Sequence, residues 1–243
     1  MSTVKADTVQ PKDSATDLTL GASGDTVTVA SDSINIDKVQ DKGGNTLWDY
    51  STGEFVAGNN IFGSPSLKLL SSTSVTGYDS IVFTSLIDAT YDEYIWKFID
   101  CNQSSDGSNF QVNFSSDGGS NYNMMKTTTI FQTTHYENNS GAYMGYSTGG
   151  DLAQSTAAQE MAAGVGNSAD ECCAGELHLF APSSSQFVKH FYSRLQEYCY
   201  PDISRECYAA GYVNSTSPIN AVHFKMSSGN LDGIIAMYGI SKS

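Results

Sequence analysis

The chain is short of charged residues, and of positively charged residues above all. Only 16% of its 243 residues are charged, and 12 Lys and Arg stand against 26 Asp and Glu, which gives a formal net charge of −14. A chain this acidic, with no basic cluster, repels phosphates, so we expect neither nucleic acid nor an anionic membrane surface as a partner. No apolar run approaches the roughly 20 residues of a membrane-spanning helix, so we expect no membrane insertion.

The first residues also lack the apolar segment of a secretory signal peptide. Residues 1–18 are polar and contain Pro11, which predicts that the protein folds in a cytosol. The five cysteines, an odd number without a Cys-x-x-Cys pair, fit free thiols in that reducing compartment. Cys199 and Cys207 flank a short polar segment and form the one pair for which we consider a later bridge in an oxidising medium.

The polarity of the chain comes instead from Ser, Thr, Asn and Gly, a composition typical of strands joined by turns. Hydrophobic residues make up 40%, with 14 Tyr and 11 Phe, which suits a pleated, half-buried surface. Residues Tyr91–Ile99 alternate, with Tyr94, Trp96 and Phe98 on one face. About nine or ten such stretches, with no strong helix, predict an all-β fold, an antiparallel β-sandwich of jelly-roll type.

Two turn-like segments predict which strands pair. Ala221–Met226 and Ile234–Ile240 are apolar runs separated by Ser, Gly, Asn and Asp, which predicts paired antiparallel strands, the last of them interior to the sheet. Ser115–Ser120 predicts a hairpin turn between the strand at 110–114 and the strand that begins near Tyr122.

One stretch allows two interpretations. Asp151–Ala163 contains a fair helical stripe and several alanines, which favour a helix. It equally fits a polar loop that runs into a strand ending at 164–166.

The chain divides into three parts that differ in composition and in the spacing of their strand-like segments. Residues 1–18 are a polar tail that we expect another protein to order. Residues 19–66 form a β-rung stalk and connector, whose rungs are too short to bury their own faces, so we expect neighbouring copies of the chain to cover them. Residues 67–243 form the β-sandwich head. This organisation predicts association between chains, in which a trimeric β-prism or an intertwined stalk would supply the missing cover; the alternative is a β extension packed on its own domain.

The sequence offers no strong catalytic or metal-binding pattern. Glu176 and His178 lie two apart in a predicted strand, and His190 comes from the next one. A carboxylate and two histidines could act in acid–base chemistry or bind a metal. We favour a structural or surface role, because residues on the exposed face of a half-buried sheet are polar by default. No Gly-x-Ser-x-Gly turn is present, and the acidic residues lie mostly in Asp-Gly and Ser-Asp turns. We therefore expect no catalytic residue, no metal and no cofactor, and a protein that is not an enzyme.

Tyrosines on predicted loops rich in Gly, Ser and Asn are the better candidates for a functional surface. Tyr143 and Tyr146 lie in one such segment, and Tyr198 and Tyr200 lie in another. Tyrosine gives amphipathic contact area at a low entropic cost, which suits the binding of glycans or proteins. These four residues are our candidates for receptor contact.

Several short segments together resemble fiber and virion-surface structural proteins of tailed bacteriophages. They are Asp41–Leu47, Tyr91–Tyr94, Ser116–Ser120, Gly175–Pro182 and the closing Met237–Ile240. The resemblance runs from about Thr19 to Ser243. It implies a homotrimer in the virion, assembled in the host cytoplasm, with an N-terminal tail docked on other virion proteins and a C-terminal head exposed to the host.

The resulting hypothesis is a trimeric tail fiber whose sandwich head contacts a host surface glycan or protein. The nearest alternative is a capsid or collar fiber, or a decoration protein, without a receptor role. A glycan-degrading depolymerase is a third possibility, although it would be expected to show a longer repetitive β-helix and clustered acidic residues on strands. A secreted carbohydrate-binding module of a cell is disfavoured by the polar first residues.

Overall fold

A computed structural model of the chain describes residues 66–240 in full and the backbone of residues 38–40 and 46–49. The chain divides into two units, residues 1–64 and 65–243. In the first unit, strands β1 (Lys38–Gln40) and β2 (Thr46–Asp49) pair in antiparallel fashion. The predicted docking tail at 1–18 and most of the predicted stalk at 19–66 lie outside the described residues.

The second unit is all-β, as the sequence predicts, and every strand pairing described in it is antiparallel. Its strands are β3 (Leu67–Tyr78), β4 (Ser80–Phe83), β5 (Glu93–Gln103), β6 (Ser108–Ser115), β7 (Lys126–Tyr136), β8 (Ala142–Tyr146), β9 (Gln159–Val165), β10 (Cys173–Phe180), β11 (Lys189–Cys199), β12 (Ile203–Val213), β13 (Ala221–Met226) and β14 (Leu231–Ile240).

These strands form two layers of one sheet that folds over on itself. The large layer runs in the order β3-β14-β5-β10-β11-β12-β7-β8, and the small layer runs β9-β6-β13-β4. The layers join where Cys199 on β11 pairs with Val165 on β9. Elsewhere their inner faces pack against each other, which is the arrangement of a β-sandwich.

Aromatic rings from both layers fill the space between them. Phe98 on β5 lies 5.0 Å from Phe110 on β6 and 5.2 Å from Phe224 on β13, measured between ring centroids. Trp96 on β5 lies 5.9 Å from Phe224. Each such pair adds about 0.5–1.5 kcal/mol to the burial of its rings, so this cluster is the centre of the core.

The alternation predicted for Tyr91–Ile99 is confirmed. Tyr94, Trp96 and Phe98 are 0%, 0% and 2% exposed, whereas Ile99 on the opposite face is 45% exposed. Because successive strand residues point to opposite faces, this pattern fixes which side of β5 meets the small layer.

The predicted pairing of the last two strands is wrong. β13 pairs with β4 and β6 in the small layer, whereas β14 pairs with β3 and β5 in the large layer. The turn at 227–230 therefore carries the chain from one layer to the other. Turn residues reverse the chain equally well in both arrangements, so the turn alone does not select a hairpin. The interior position of β14 is confirmed.

The hairpin predicted around Ser115–Ser120 is also wrong, because β6 pairs with β9 and β13, and β7 pairs with β12 and β8. Of the two interpretations of Asp151–Ala163, the loop that runs into a strand is confirmed and the helix is wrong. Residues before β9 run beside β7, where Ser155 and Lys126 exchange backbone hydrogen bonds of 2.8 and 3.0 Å. This tertiary contact outweighs the helix preference of the alanines.

The cysteines considered for a bridge lie too far apart in register to form one. Cys207 on β12 stands opposite Leu195, and Cys199 on β11 stands opposite Ile203. The two are thus offset by four residues along paired strands, about 13 Å, whereas a disulfide needs Cα atoms within about 7 Å.

Replacing Gly175 by alanine is expected to destabilise the large layer by about 1–3 kcal/mol. Gly175 lies at a bulge between β10 and β5, and an added Cβ would lie 2.2 Å from the backbone oxygen of Arg194. Chemical denaturation measures the loss. Gly145→Ala on β8 is the matched control, because nothing lies within 4 Å of the added carbon; equal stability of the two variants would contradict the prediction.

Candidate functional site

The face of the large layer that points away from the small layer, called the outer face here, carries polar, charged and aromatic side chains. On β11 the buried residues alternate with exposed ones, so that His190, Tyr192, Arg194 and Gln196 point outward. Register brings outward residues of neighbouring strands side by side, and cross-strand neighbours of this kind interact directly. The outer face is therefore a set of rows that run across the strands.

One of these rows is charged. Lys97, Glu176 and Arg194 are consecutive register neighbours on β5, β10 and β11. The ammonium group of Lys97 donates to Glu176, and Nε of Arg194 donates to Glu206 on β12. The hydrogen bond from Lys97 holds the pKa of Glu176 below its ordinary value. The row thus offers paired donors and acceptors with no surplus of either sign.

The same row continues as an aromatic platform. Arg194 faces Tyr208 in the register, and its Cζ atom lies 5.5 Å from the Tyr208 ring centroid. Tyr208 stacks on Phe131 of β7 with centroids 4.7 Å apart and planes inclined by 6°. Phe131 in turn faces Tyr146 on β8. The row therefore passes from paired charges to flat ring faces within one stretch of sheet.

The four tyrosines named from the sequence do not form one cluster. Tyr143 and Tyr146 lie on the edge strand β8, so their assignment to a loop is wrong. Tyr198 lies near the end of β11, three strands away in the order β11-β12-β7-β8, and Tyr200 lies in the turn before β12. Tyr146 and Tyr198 share the outer face, whereas the register places Tyr143 on the opposite face, in line with the buried Glu197.

These tyrosines differ in what their hydroxyl groups do. Tyr146 donates to Asp151 at 2.7 Å, and Tyr198 donates to Asp202 at 3.1 Å. The second hydrogen bond raises the pKa of Tyr198 to about 12. Tyr143 and Tyr200 are 64% and 67% exposed, which makes them the two most accessible of the four rings.

Glu176 and His178 lie side by side on one face of β10, as their spacing predicts. Nε2 of His178 lies 3.4 Å from Glu176, and Nδ1 lies 2.5 Å from Glu93 on β5. Its ring stacks on Tyr192 at 4.4 Å. The third predicted member, His190, lies beside Tyr212 instead, 6.2 Å between centroids. Within residues 66–240 no set of three His, Cys, Asp or Glu side chains is arranged to hold a metal ion.

The outer face contains residues that the sequence analysis did not select. They include Lys97, Arg194 and Glu206 of the charged row, and Phe131, Tyr192, Tyr208 and Tyr212 among the rings. A signal was present, because His190, Tyr192 and Arg194 alternate with Lys189, Phe191 and Ser193 in the sequence. Which of the two sets faces outward depends on the partner layer.

Comparison of the chain with protein-family models, with curated proteins and with solved structures finds no match in any of the three. Among the described residues, no helix is long and apolar enough to cross a membrane.

Proposed function

We propose that this protein is a virion structural protein of a tailed bacteriophage, a trimeric fiber whose sandwich head binds the host surface through its outer face. The observation that carries the proposal is the row from Lys97 to Tyr146, where paired charges and stacked rings lie side by side on one exposed layer. Binding surfaces combine rigid aromatic area with fixed hydrogen-bonding groups in this way.

Three further features support a binding role over a purely structural one. Large side chains stand exposed on and near the large layer, with Tyr143, Met144 and Tyr200 all more than 60% exposed. The charged groups of the row are held in fixed geometry by each other, which lowers the cost of ordering them on contact with a ligand. The resemblance to phage fiber proteins implies that the first residues dock on the particle and that the head faces the host. A capsid or collar protein without a receptor role would have no need of such exposed side chains.

The proposal is tested with the full chain by native mass measurement and by sedimentation of labelled protein with intact cells of a panel of bacterial strains. We expect a trimer that sediments with a subset of strains. The double replacements Tyr143→Ala/Tyr146→Ala and Tyr198→Ala/Tyr200→Ala are expected to weaken sedimentation at least tenfold. Phe187→Ala is the matched control, since it removes a ring that is 65% exposed in the segment between β10 and β11. A monomer that binds no strain would overturn the proposal.

A further inference from the structure

A depression on the outer face, called the Ala210 slot here, lies beside the aromatic part of the row. Ala210 on β12 is flanked by Tyr192 and Thr129 in the register, and by Tyr208 and Tyr212 along its own strand. Its side chain is a single methyl group among larger neighbours, and this difference in size leaves an open space of about 390 Å³. That volume suits one ring of a ligand.

The walls of the Ala210 slot are aromatic rings that neighbouring side chains hold in place. Tyr192 stacks on His178 at 4.4 Å, and Glu93 fixes His178 through the 2.5 Å contact with Nδ1. Phe180 extends this wall, 5.9 Å from Tyr192. On the other side, Tyr212 packs beside His190. A ligand would therefore meet flat apolar surfaces that need little rearrangement.

The polar groups in the slot are uncharged hydroxyls and one imidazole. Its lining contains no Asp, Glu, Lys or Arg. Thr127 uses its hydroxyl to accept from the backbone and side-chain amides of Gln154, at 3.2 and 2.9 Å. Within residues 66–240, the hydroxyls of Tyr192 and Tyr212 and the ring of His190 make no hydrogen bond. These two hydroxyls and the imidazole are therefore available to form hydrogen bonds with a ligand.

The electrostatic surroundings disfavour an anion in the slot. Burial first, and then the carboxylates of Glu176 and Glu93, raise the pKa of Tyr192 above its ordinary value. The lining of the slot holds no Lys or Arg that could pair with an anionic ligand, so such a ligand would lose hydration without gaining a partner. The lining likewise holds no Asp or Glu that could pair with a cation. The slot is thus suited to an uncharged ligand that has both an apolar face and hydroxyl groups.

We propose that the Ala210 slot binds a neutral pyranose residue of a surface polysaccharide, in preference to sialic or uronic acids. A pyranose ring presents a face of C–H groups edged by hydroxyls. The C–H face packs against Tyr192, and the hydroxyls bond to Tyr212 and His190. This inference rests on the proposed function, because it names the class of ligand that the outer face takes from the host.

The test is saturation-transfer NMR of the full chain with methyl glycosides of glucose, galactose, mannose and N-acetylglucosamine, and with methyl glucuronide and a methyl sialoside. We expect transfer to the ring protons of at least one neutral glycoside and none to the acids. Ala210→Leu fills the slot from an exposed strand position and is expected to reduce affinity at least tenfold. Tyr212→Phe keeps the ring and removes one hydrogen bond, so a loss of about fivefold is expected.

Ser74→Leu is the matched control, since it places the same side chain on the same layer, on β3, five strands from β12. Its glycoside binding is expected to equal that of the unaltered protein, and thermal unfolding checks that both leucine variants fold. Binding that survives Ala210→Leu, or a preference for the acids, overturns the inference. Cell binding without binding of any neutral glycoside also overturns it but leaves the proposed function standing. Absence of cell binding overturns both.

Discussion

Replacing Phe224 by alanine is expected to lower the free energy of unfolding of the head by about 3–5 kcal/mol. The ring is fully buried and lies 5.2 to 6.1 Å from four other aromatic rings, which come from both layers of the sandwich: Phe83, Trp96, Phe98 and Phe110. The neighbours are themselves packed on all sides and collapse only partly into the space. A loss of this size is a large part of the about 5–15 kcal/mol that holds a typical domain together.

Urea denaturation followed by tryptophan fluorescence measures this loss, because Trp96 lies against Phe224. Phe187→Ala is the control, since that ring is 65% exposed and surface replacements usually change stability by less than about 0.5 kcal/mol. A loss below about 1 kcal/mol for Phe224→Ala would contradict a core centred on this ring.

The sequence predicts the elements of the head better than their partners. Alternation in Tyr91–Ile99 gives the buried face of β5 correctly, because a residue's side in a strand follows from its position alone. Pairing depends on which strands the rest of the chain brings near. The apolar side chains of β13 and β14 can be buried whether the two strands pair with each other or lie in opposite layers across the core. The second arrangement is the one that forms.

The buried polar residues are a second feature that the local pattern does not reveal. Lys126 is 0% exposed at the start of β7, and its ammonium group donates to Asn113 at 2.6 Å and to the backbone oxygen of Met124 at 2.8 Å. Both acceptors depend on the fold of β6 and of the segment that follows it. Lysine is almost never fully buried without partners, so the sequence alone predicts that Lys126 is exposed.

The candidate site shows the same difference between what the sequence predicts, the individual residues, and what it does not predict, their arrangement in space. Tyr143, Tyr146, Tyr198 and Tyr200 could be selected from the sequence because tyrosines in Gly- and Ser-rich segments stand out. The strand and the face that each of them occupies follow only from the pairing of β11 with β12, of β12 with β7 and of β7 with β8. The charged row depends on that register too, since a slip of one residue would send Arg194 and its neighbours to the opposite face.

Glu197 leads to the second large prediction, which concerns pH. It lies on β11 close to the pair that joins the two layers, and its side chain is 0% exposed. Oε1 accepts from the backbone nitrogen of Ala163 at 3.2 Å, and it lies 3.4 Å from Nη1 of Arg205 and 3.6 Å from Sγ of Cys207. Burial raises the pKa of this carboxyl from 4.5 to about 7, although Arg205 opposes the change.

A raised pKa means that the folded state prefers the protonated carboxyl. The contribution of Glu197 to stability is therefore greatest below about pH 4.5, decreases as the pH rises, and is constant above about pH 7. Since each pKa unit corresponds to about 1.4 kcal/mol, the decrease amounts to about 3 kcal/mol. Glu197→Gln keeps an acceptor for Ala163 and has no such titration, so its stability relative to the unaltered protein is expected to rise by that amount between pH 4 and pH 8.

Urea unfolding of both proteins across this pH range measures the difference directly, because titrations that the two proteins share cancel. Glu176→Gln serves as the control of opposite sign, since Lys97 lowers the pKa of Glu176. Glu176 stabilises the fold above its ordinary pKa and loses that contribution as the pH falls, so this variant is expected to weaken relative to the unaltered protein as the pH rises. If the two differences change in the same direction, or if that of Glu197→Gln does not change with pH, then Glu197 is not the desolvated acid that joins β9, β11 and β12.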